Sequence, residues 1–402
     1  MSNHILMPRI MQIGAGAVQE LPKVLKSLNS KRPLIVTDAM MVKRGYVQRI
    51  RELLEAEGLN HAVFADTVPE PTESSILAGV EQLRAGLPDG SAFDSLVALG
   101  GGSPIDSAKA IGVLGTFGGQ MRDYKFPNDA SQAGLPLVAI PTTAGTGSEV
   151  TRFTIITDDS GDTDEKLLCV GLGFMPTAAL VDYELTLSVP PRVTADTGID
   201  ALTHAIESYV SRKANPFSEQ QSLAAMRLIA PNLRRVYHQP DDRPAREAMM
   251  LGSMLAGMAF SNASVALVHG MSRPIGAFFH VPHGLSNAML LPAITAFSIP
   301  AAPERYADCA RAMGVAAQTD SVEAANEKLL NELRAINLEL QVPSPEQFGI
   351  SRERFFELRE TMAKQALASG SPGNNPRVPS EAEIIDGKAF AQRVRERVTA
   401  AV

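Results

Sequence analysis

The sequence predicts two domains of different class, a parallel α/β domain followed by an all-helical one, and three observations predict it. In the first half, short apolar runs alternate with segments of helical periodicity, the pattern of successive βαβ units. Beyond about residue 190 the β-branched runs give way to segments rich in Ala, Leu, Met and Glu. The change falls at Pro190-Pro191, which sets the expected boundary between a domain of residues 1–189 and one of residues 190–402.

Residues 33–38 read as a buried strand that ends in an acid, and 47–58 as a helix stopped by Gly58. Residues 61–64 form a second expected strand. Pro69-Glu70-Pro71 is a rigid turn with Thr72 placed to cap the helix that follows. Residues 95–99 and 136–140 are the third and fourth strands; helices between them imply a parallel sheet with right-handed crossovers. In the second half, residues 218–236, 243–260, 302–313 and 322–338 suit helices. The Ser-, Gly-, Pro- and Asn-rich stretch 369–377 reads as a surface loop.

Composition narrows the function classes. A chain of 402 residues, 45% hydrophobic and 20% charged, can bury a large core and has the balance of a soluble globular protein. The net charge of −7 leaves no basic footprint, so nucleic acid is not an expected partner. Two cysteines, Cys169 and Cys309, make no disulfide framework and suit a reducing compartment. The N-terminus lacks a basic start followed by an apolar run, and the apolar stretch 249–260 is short and broken by glycine. The expected location is the cytoplasm, with no membrane partner.

Two glycine-rich turns follow predicted strands. Gly100-Gly101-Gly102-Ser103-Pro104 opens a helix, where glycine lets the backbone approach a phosphate and free amides can bind it. Its spacing is not the Gly-x-Gly-x-x-Gly of a standard Rossmann turn. Pro141-Thr142-Thr143-Ala144-Gly145-Thr146-Gly147-Ser148 offers hydroxyls and glycines in the same relation to a strand. Either alone could be a plain connection; together, at strand C-termini, they point to a nucleotide. Asp38, at the end of an early strand, suits a ribose hydroxyl and would repel a 2′-phosphate, which favours NAD over NADP; its alternative role is a helix cap.

The chemistry concentrates elsewhere. Asp200 and His204, four residues apart in a helical segment, project from one helical face. Three of the seven histidines, His269, His280 and His283, fall within fifteen residues downstream. One carboxylate and three imidazoles, Asp200, His204, His269 and His283, make a divalent transition-metal site.

The combination resembles the iron-containing (group III) alcohol dehydrogenase family, in the wider superfamily of glycerol dehydrogenase and dehydroquinate synthase. The likeness is carried by Gly100-Gly101-Gly102-Ser103 with Asp106 and Lys109, by Pro141 to Glu149, by Gly198-Ile199-Asp200-Ala201-Leu202-Thr203-His204-Ala205-Ile206-Glu207, and by Pro282-His283-Gly284 leading to Asn287-Ala288-Met289-Leu290-Leu291-Pro292. It implies an N-terminal nucleotide-binding domain, a helical metal-binding domain and a metal in the cleft between them. By position the family's ligands fall on Asp200, His204, His269 and His283. Its cofactor contacts fall on Gly101, Gly102, Ser103, Thr142, Thr143 and Thr146, with Asp38 selecting NAD and Lys166 near the ribose. Iron(II) is the implied metal, with zinc or another divalent ion also suited to the ligands. Homodimers paired through the N-terminal strand are common in such proteins, and residues 7–12 could supply that strand.

The implied reaction is reversible hydride transfer between an alcohol carbon and nicotinamide, with the metal polarising the oxygen. Two rivals share the architecture: a lyase of the dehydroquinate synthase type, and a non-catalytic metal- or nucleotide-binding protein. One departure stands out. Many family members carry a histidine four residues after the third ligand, where this chain has Arg273, which cannot serve as a neutral proton shuttle. Arg273 is therefore a candidate contact for an anionic group on the substrate; the alternative is a structural salt bridge.

Overall fold

The computed structural model describes residues 2–161 and 165–385. The chain divides into two compact units, Met1–Val189 and Pro190–Val402.

The first unit is built on a six-stranded sheet, all of whose pairs are parallel. Its strands are β1 (Ile10–Ile13), β2 (Pro33–Val36), β3 (Ala62–Phe64), β4 (Ser95–Gly100), β5 (Leu137–Pro141) and, after a hairpin, β8 (Ala178–Val181), in spatial order β1-β8-β5-β4-β2-β3. The helices between them are α1 (Leu21–Ser27), α2 (Ala39–Lys43), α3 (Tyr46–Ala56), α4 (Glu73–Ala85) and α5 (Gly102–Phe117). Strands β2, β4, β5 and β8 are buried along their length, as expected of parallel strands covered on both faces. Alternation along them feeds two cores. Leu34, Val36, Leu96 and Ala98 pack with Ile76 and Val80 of α4 and Ile105 and Ile111 of α5. Ile35, Val97 and Leu99 pack with Leu21 and Leu25 of α1 and Ile50 and Leu54 of α3. Thr72 caps α4 in a reciprocal capping box with Ser75.

Four strands of this unit lie outside the four expected runs. The edge strand β1 and the Ala-rich β8 complete the sheet, and β6 (Phe153–Asp158) pairs with β7 (Glu165–Val170) in a separate antiparallel hairpin. Residues 162–164, including Asp164 of the lysine motif, lie outside the described residues.

The second unit is helical throughout its described residues. Its helices are α6 (Pro191–Val210), α7 (Pro216–His238), α8 (Arg243–Ala263), α9 (Leu267–Phe279), α10 (His283–Ser298), α11 (Pro303–Ala312), α12 (Val322–Glu339), α13 (Pro345–Phe348), α14 (Arg352–Ala368) and α15 (Glu381–Ile385). Pro191 occupies the first helical position of α6, where its missing N–H costs nothing. Asn215 and Ser218 form the capping box of α7. Ser264, at φ 61°, separates α8 from α9, which meet at a bend of 100°.

Two sequence expectations need correction here. The stretch 369–377 is not a surface loop: Ser371, Pro372, Asn374 and Asn375 are buried. Asn374 Nδ2 donates to Ser264 Oγ and Val265 O (both 3.1 Å), holding the α8–α9 bend, and Asn375 Nδ2 donates to Ser298 Oγ at 2.9 Å. The second correction concerns apolar length. By length and composition one helix among the described residues, His283–Ala301, is long and apolar enough to cross a membrane; half of it is buried within the unit, and it begins at a proposed metal ligand. Its apolar character is that of a core helix.

Candidate metal centre and cofactor loops

In the second unit, Asp200 and His204 lie one turn apart on α6, His269 lies in the first turn of α9, and His283 is the first residue of α10. Their ligand atoms all fall within 4.8 Å of one another. Asp200 Oδ1 is 3.3 Å from His269 Nε2, 3.7 Å from His283 Nε2 and 4.0 Å from His204 Nε2. An ion with bonds near 2.1 Å separates tetrahedral ligands by about 3.4 Å, so this donor set fits a transition ion in both size and chemistry. Asp200, His204 and His269 are buried, and His283 is partly open. Burial alone would raise the Asp200 carboxyl, but the charges of His204 and His283 and the hydrogen bond with His269 hold it well below the usual range. Gly284 permits the close seating of α10: a Cβ there would lie 2.4 Å from Asp196 O of α6.

Two further residues act on these ligands, and sequence reasoning quoted both without giving either a role. Glu207, two turns along α6 from Asp200, receives His269 Nδ1 at 2.6 Å and the backbone amides of Ala266, Val268 and His269. It caps α9, whose own N-cap residue, Ala266, offers no side-chain cap. It also fixes a proton on Nδ1, so that Nε2 is the ring nitrogen left facing Asp200. Burial opposes protonation of His269, but the hydrogen bonds with Asp200 and Glu207 outweigh it and raise its pKa. Asn287, fully buried one turn after His283, brings Nδ2 to 2.7 Å from Asp200 Oδ1, 3.1 Å from His269 Nε2 and 3.2 Å from His283 Nε2. Phe260 stacks on the His204 ring at 4.2 Å and closes that side with an apolar face.

Arg273, one turn beyond His269, is mostly buried, and its Nη1 donates to Ser371 Oγ at 3.0 Å. Burial pushes its guanidinium down to about 10, so it remains a cation at neutral pH. Among the described residues it forms no ion pair, and its one hydrogen bond goes to that neutral hydroxyl. His280 caps the C-terminus of α9 at φ 52° on the surface, outside the cluster. Phe278 and Phe279 pack into a core with Ile275, Val281 and Met362.

In the first unit, the two glycine turns leave adjacent parallel strands, with Gly100 in register with Pro141. They touch: Thr142 N donates to Gly100 O at 2.9 Å, and Cβ atoms added at Gly101 and Gly102 would lie 3.5 Å from Thr143 and 2.8 Å from Thr146. Gly101, Gly102, Ser103, Thr142, Thr143 and Thr146 are thus brought together at the C-terminal ends of β4 and β5, with the free amides of α5 among them. Asp38 follows the neighbouring β2 and caps α2, accepting from Met41 N at 2.9 Å. Lys166 lies on the β6–β7 hairpin in an ion pair with Glu70, and burial pushes its pKa down to about 8.

The chain matches the model of iron-containing alcohol dehydrogenases over residues 8–183 and that of the Fe-containing alcohol dehydrogenase family, C-terminal, over residues 194–387. The chain belongs to the iron-containing alcohol dehydrogenase family. It is 35% identical to NAD-dependent methanol dehydrogenase of Bacillus methanolicus over 96% of this chain and 98% of that one. Among solved structures, 1,3-propanediol oxidoreductase superposes with a TM-score of 0.90 at 34% identity, covering 98% of this chain and 100% of that one. Sulfoacetaldehyde reductase from Bifidobacterium kashiwanohense, solved with NAD+, superposes with a TM-score of 0.82 at 27% identity over 96% and 97%. Family membership makes the chain an NAD-dependent oxidoreductase of alcohols and aldehydes and sets aside the lyase and non-catalytic readings.

Proposed function

We propose that Asp200, His204, His269 and His283 hold one divalent ion, while Asp38, Gly101, Gly102, Ser103, Thr142, Thr143, Thr146 and Lys166 contact NAD. Residues 1–189 are then the cofactor domain and 190–402 the metal domain. The observation that carries the reading is the buried set of three imidazoles and one carboxylate, spaced for a single ion. When bound, the ion supplies Lewis-acid polarisation of the alcohol or carbonyl oxygen, and nicotinamide exchanges the hydride. The chain's own contribution is positional. Glu207 keeps the His269 lone pair toward the cluster, Asn287 holds the Asp200 carboxylate, and Phe260 excludes water from the His204 side. The α5 amides receive the pyrophosphate, and the Asp38 carboxylate, while capping α2, selects against a 2′-phosphate.

Iron(II) is the ion the family name carries, and the same ligands suit zinc. The relatives' names span uncharged and sulfonated substrates, so membership does not choose the substrate. The edge position of β1, with Met7 and Ile13 exposed, supports a homodimer paired through that strand. Two buried free thiols, Cys169 and Cys309, support a cytoplasmic location. The test is NADH-linked turnover of alcohols and aldehydes by chelator-stripped protein, with each divalent ion returned in turn. Activity that disappears on stripping and returns with one ion supports the assignment; activity unaffected by stripping contradicts it.

A further inference from the structure

Arg273 carries a charge that nothing among the described residues answers. It shares a face of α9 with His269, four residues away, about 6 Å along the axis. Its one hydrogen bond among those residues goes to a neutral hydroxyl, Ser371 Oγ, and its Nε is buried without an acceptor. The acid whose field reaches it, Glu207, is already engaged by three backbone amides and the His269 ring. Ser371 is itself buried (2% exposed), and while its oxygen accepts from Arg273, its own O–H has no acceptor among the described residues. A guanidinium N–H and a hydroxyl O–H thus stand side by side as donors, the guanidinium's residue one helical turn along α9 from His269. Desolvating a cation without a counter-charge costs stability, and such a cost persists where a ligand supplies the missing charge.

We propose that Arg273, seconded by Ser371, binds an anionic terminus of the substrate, so that the enzyme reduces short-chain aldehydes bearing a carboxylate, sulfonate or phosphonate, or oxidises the corresponding alcohols. The proposal rests on the dehydrogenase reading above, since it takes the four-ligand cluster as the place where the carbonyl carbon reacts. In the reductive direction the aldehyde takes hydride from NADH and one proton from water, giving the primary alcohol and NAD+. The anion takes no part in that exchange and serves to bind and align the chain.

The test compares succinic semialdehyde with butanal, which has the same chain length and no charge, using metal-loaded enzyme. Wild type is expected to favour the acid in kcat/KM by at least tenfold. Arg273→Ala should lower that preference by about 10- to 100-fold, the usual worth of a hydrogen bond to a charged group. Arg273→Lys should retain part of it, as a point charge without the planar fork, and Ser371→Ala should lower it by less than Arg273→Ala. The ratio is taken on one preparation, so a variant that folds poorly loses both activities while its preference stays readable. A second measurement needs no variant: acetate and methanesulfonate should compete with butanal in wild type, and neutral acetamide should not. Equal use of both aldehydes, a preference unchanged in Arg273→Ala, or no competition by simple anions overturns the proposal. Failure of metal-loaded wild type to reduce either aldehyde overturns the dehydrogenase reading itself, and this proposal with it.

Discussion

At His269 the choice between two ring nitrogens is made by Glu207, whose carboxylate accepts a hydrogen bond from Nδ1 at 2.6 Å while also capping α9. Glu207→Gln should keep the helix cap partly intact but weaken the hold on the ring. Metal affinity, measured by competition with a chromophoric chelator, is expected to fall about 10- to 100-fold. An unchanged affinity would mean that ring orientation is set by packing alone. The four proposed ligands stand out in the sequence because two share a helical face and the other two belong to an unusual concentration of histidines. Glu207 and Asn287 stood in the same quoted stretches but carried no signal of role. Their work depends on how α6 seats against α9 and α10, which spacing along one helix does not encode. The sequence singled out Arg273 as a candidate contact for an anion, but only the fold shows that no acid among the described residues pairs with it.

The first turns of α5 are fastened from behind the glycine turn to the segment 148–155. Asp106 accepts from Ser148 Oγ and from Ile155 N (3.1 Å), and Lys109 Nζ donates to Phe153 O (2.7 Å) and Thr151 Oγ1 (3.1 Å). Burial pushes Lys109 down to about 8 and Glu149 up to about 7. The raised carboxyl contributes stability that is fully present below its unfolded value of 4.5 and lost as pH rises through about 7. The depressed ammonium works oppositely: its contribution is present above 10.5 and lost as pH falls through about 8. Wild type should therefore gain on Glu149→Gln by up to about 3 kcal/mol as pH falls from 7 to 4.5, read from denaturant melts across that range. A constant difference would contradict a protonated Glu149. In front of the helix, Gly102→Ala would drive a methyl against Thr146 at 2.8 Å and part the two turns. NADH affinity is expected to fall by roughly tenfold, as one or two kilocalories of lost contact imply, with metal affinity unchanged. The long apolar strands were legible by pattern. The run of β6, Phe153-Thr154-Ile155-Ile156-Thr157, held a β-branched signal that the neighbouring glycine turn overshadowed, whereas Ala-rich β8 held almost none. The buried tail around Ser371 defeated composition altogether, because its Ser and Asn side chains make buried hydrogen bonds instead of facing water.

For the whole molecule, the division at Pro190 coincides with a division of labour: every proposed cofactor residue lies in Met1–Val189 and every proposed metal ligand in Pro190–Val402. Damage to one set should therefore leave binding by the other intact. His269→Ala is expected to abolish NADH-linked turnover while NADH still binds with wild-type affinity, followed through the cofactor's own fluorescence. Parallel loss of both would contradict the separation. Family membership fixes the reaction class, and the residues that hold the ion carry the rest. The most direct measurement is the number of divalent ions bound per chain in wild type and in Asp200→Ala, His204→Ala, His269→Ala and His283→Ala, each reconstituted under identical conditions. One ion per wild-type chain, and a loss of at least tenfold in affinity in each variant, is the predicted result. An ion retained at full affinity when any of the four is removed, or wild type that turns over NADH without an ion, would contradict the assignment.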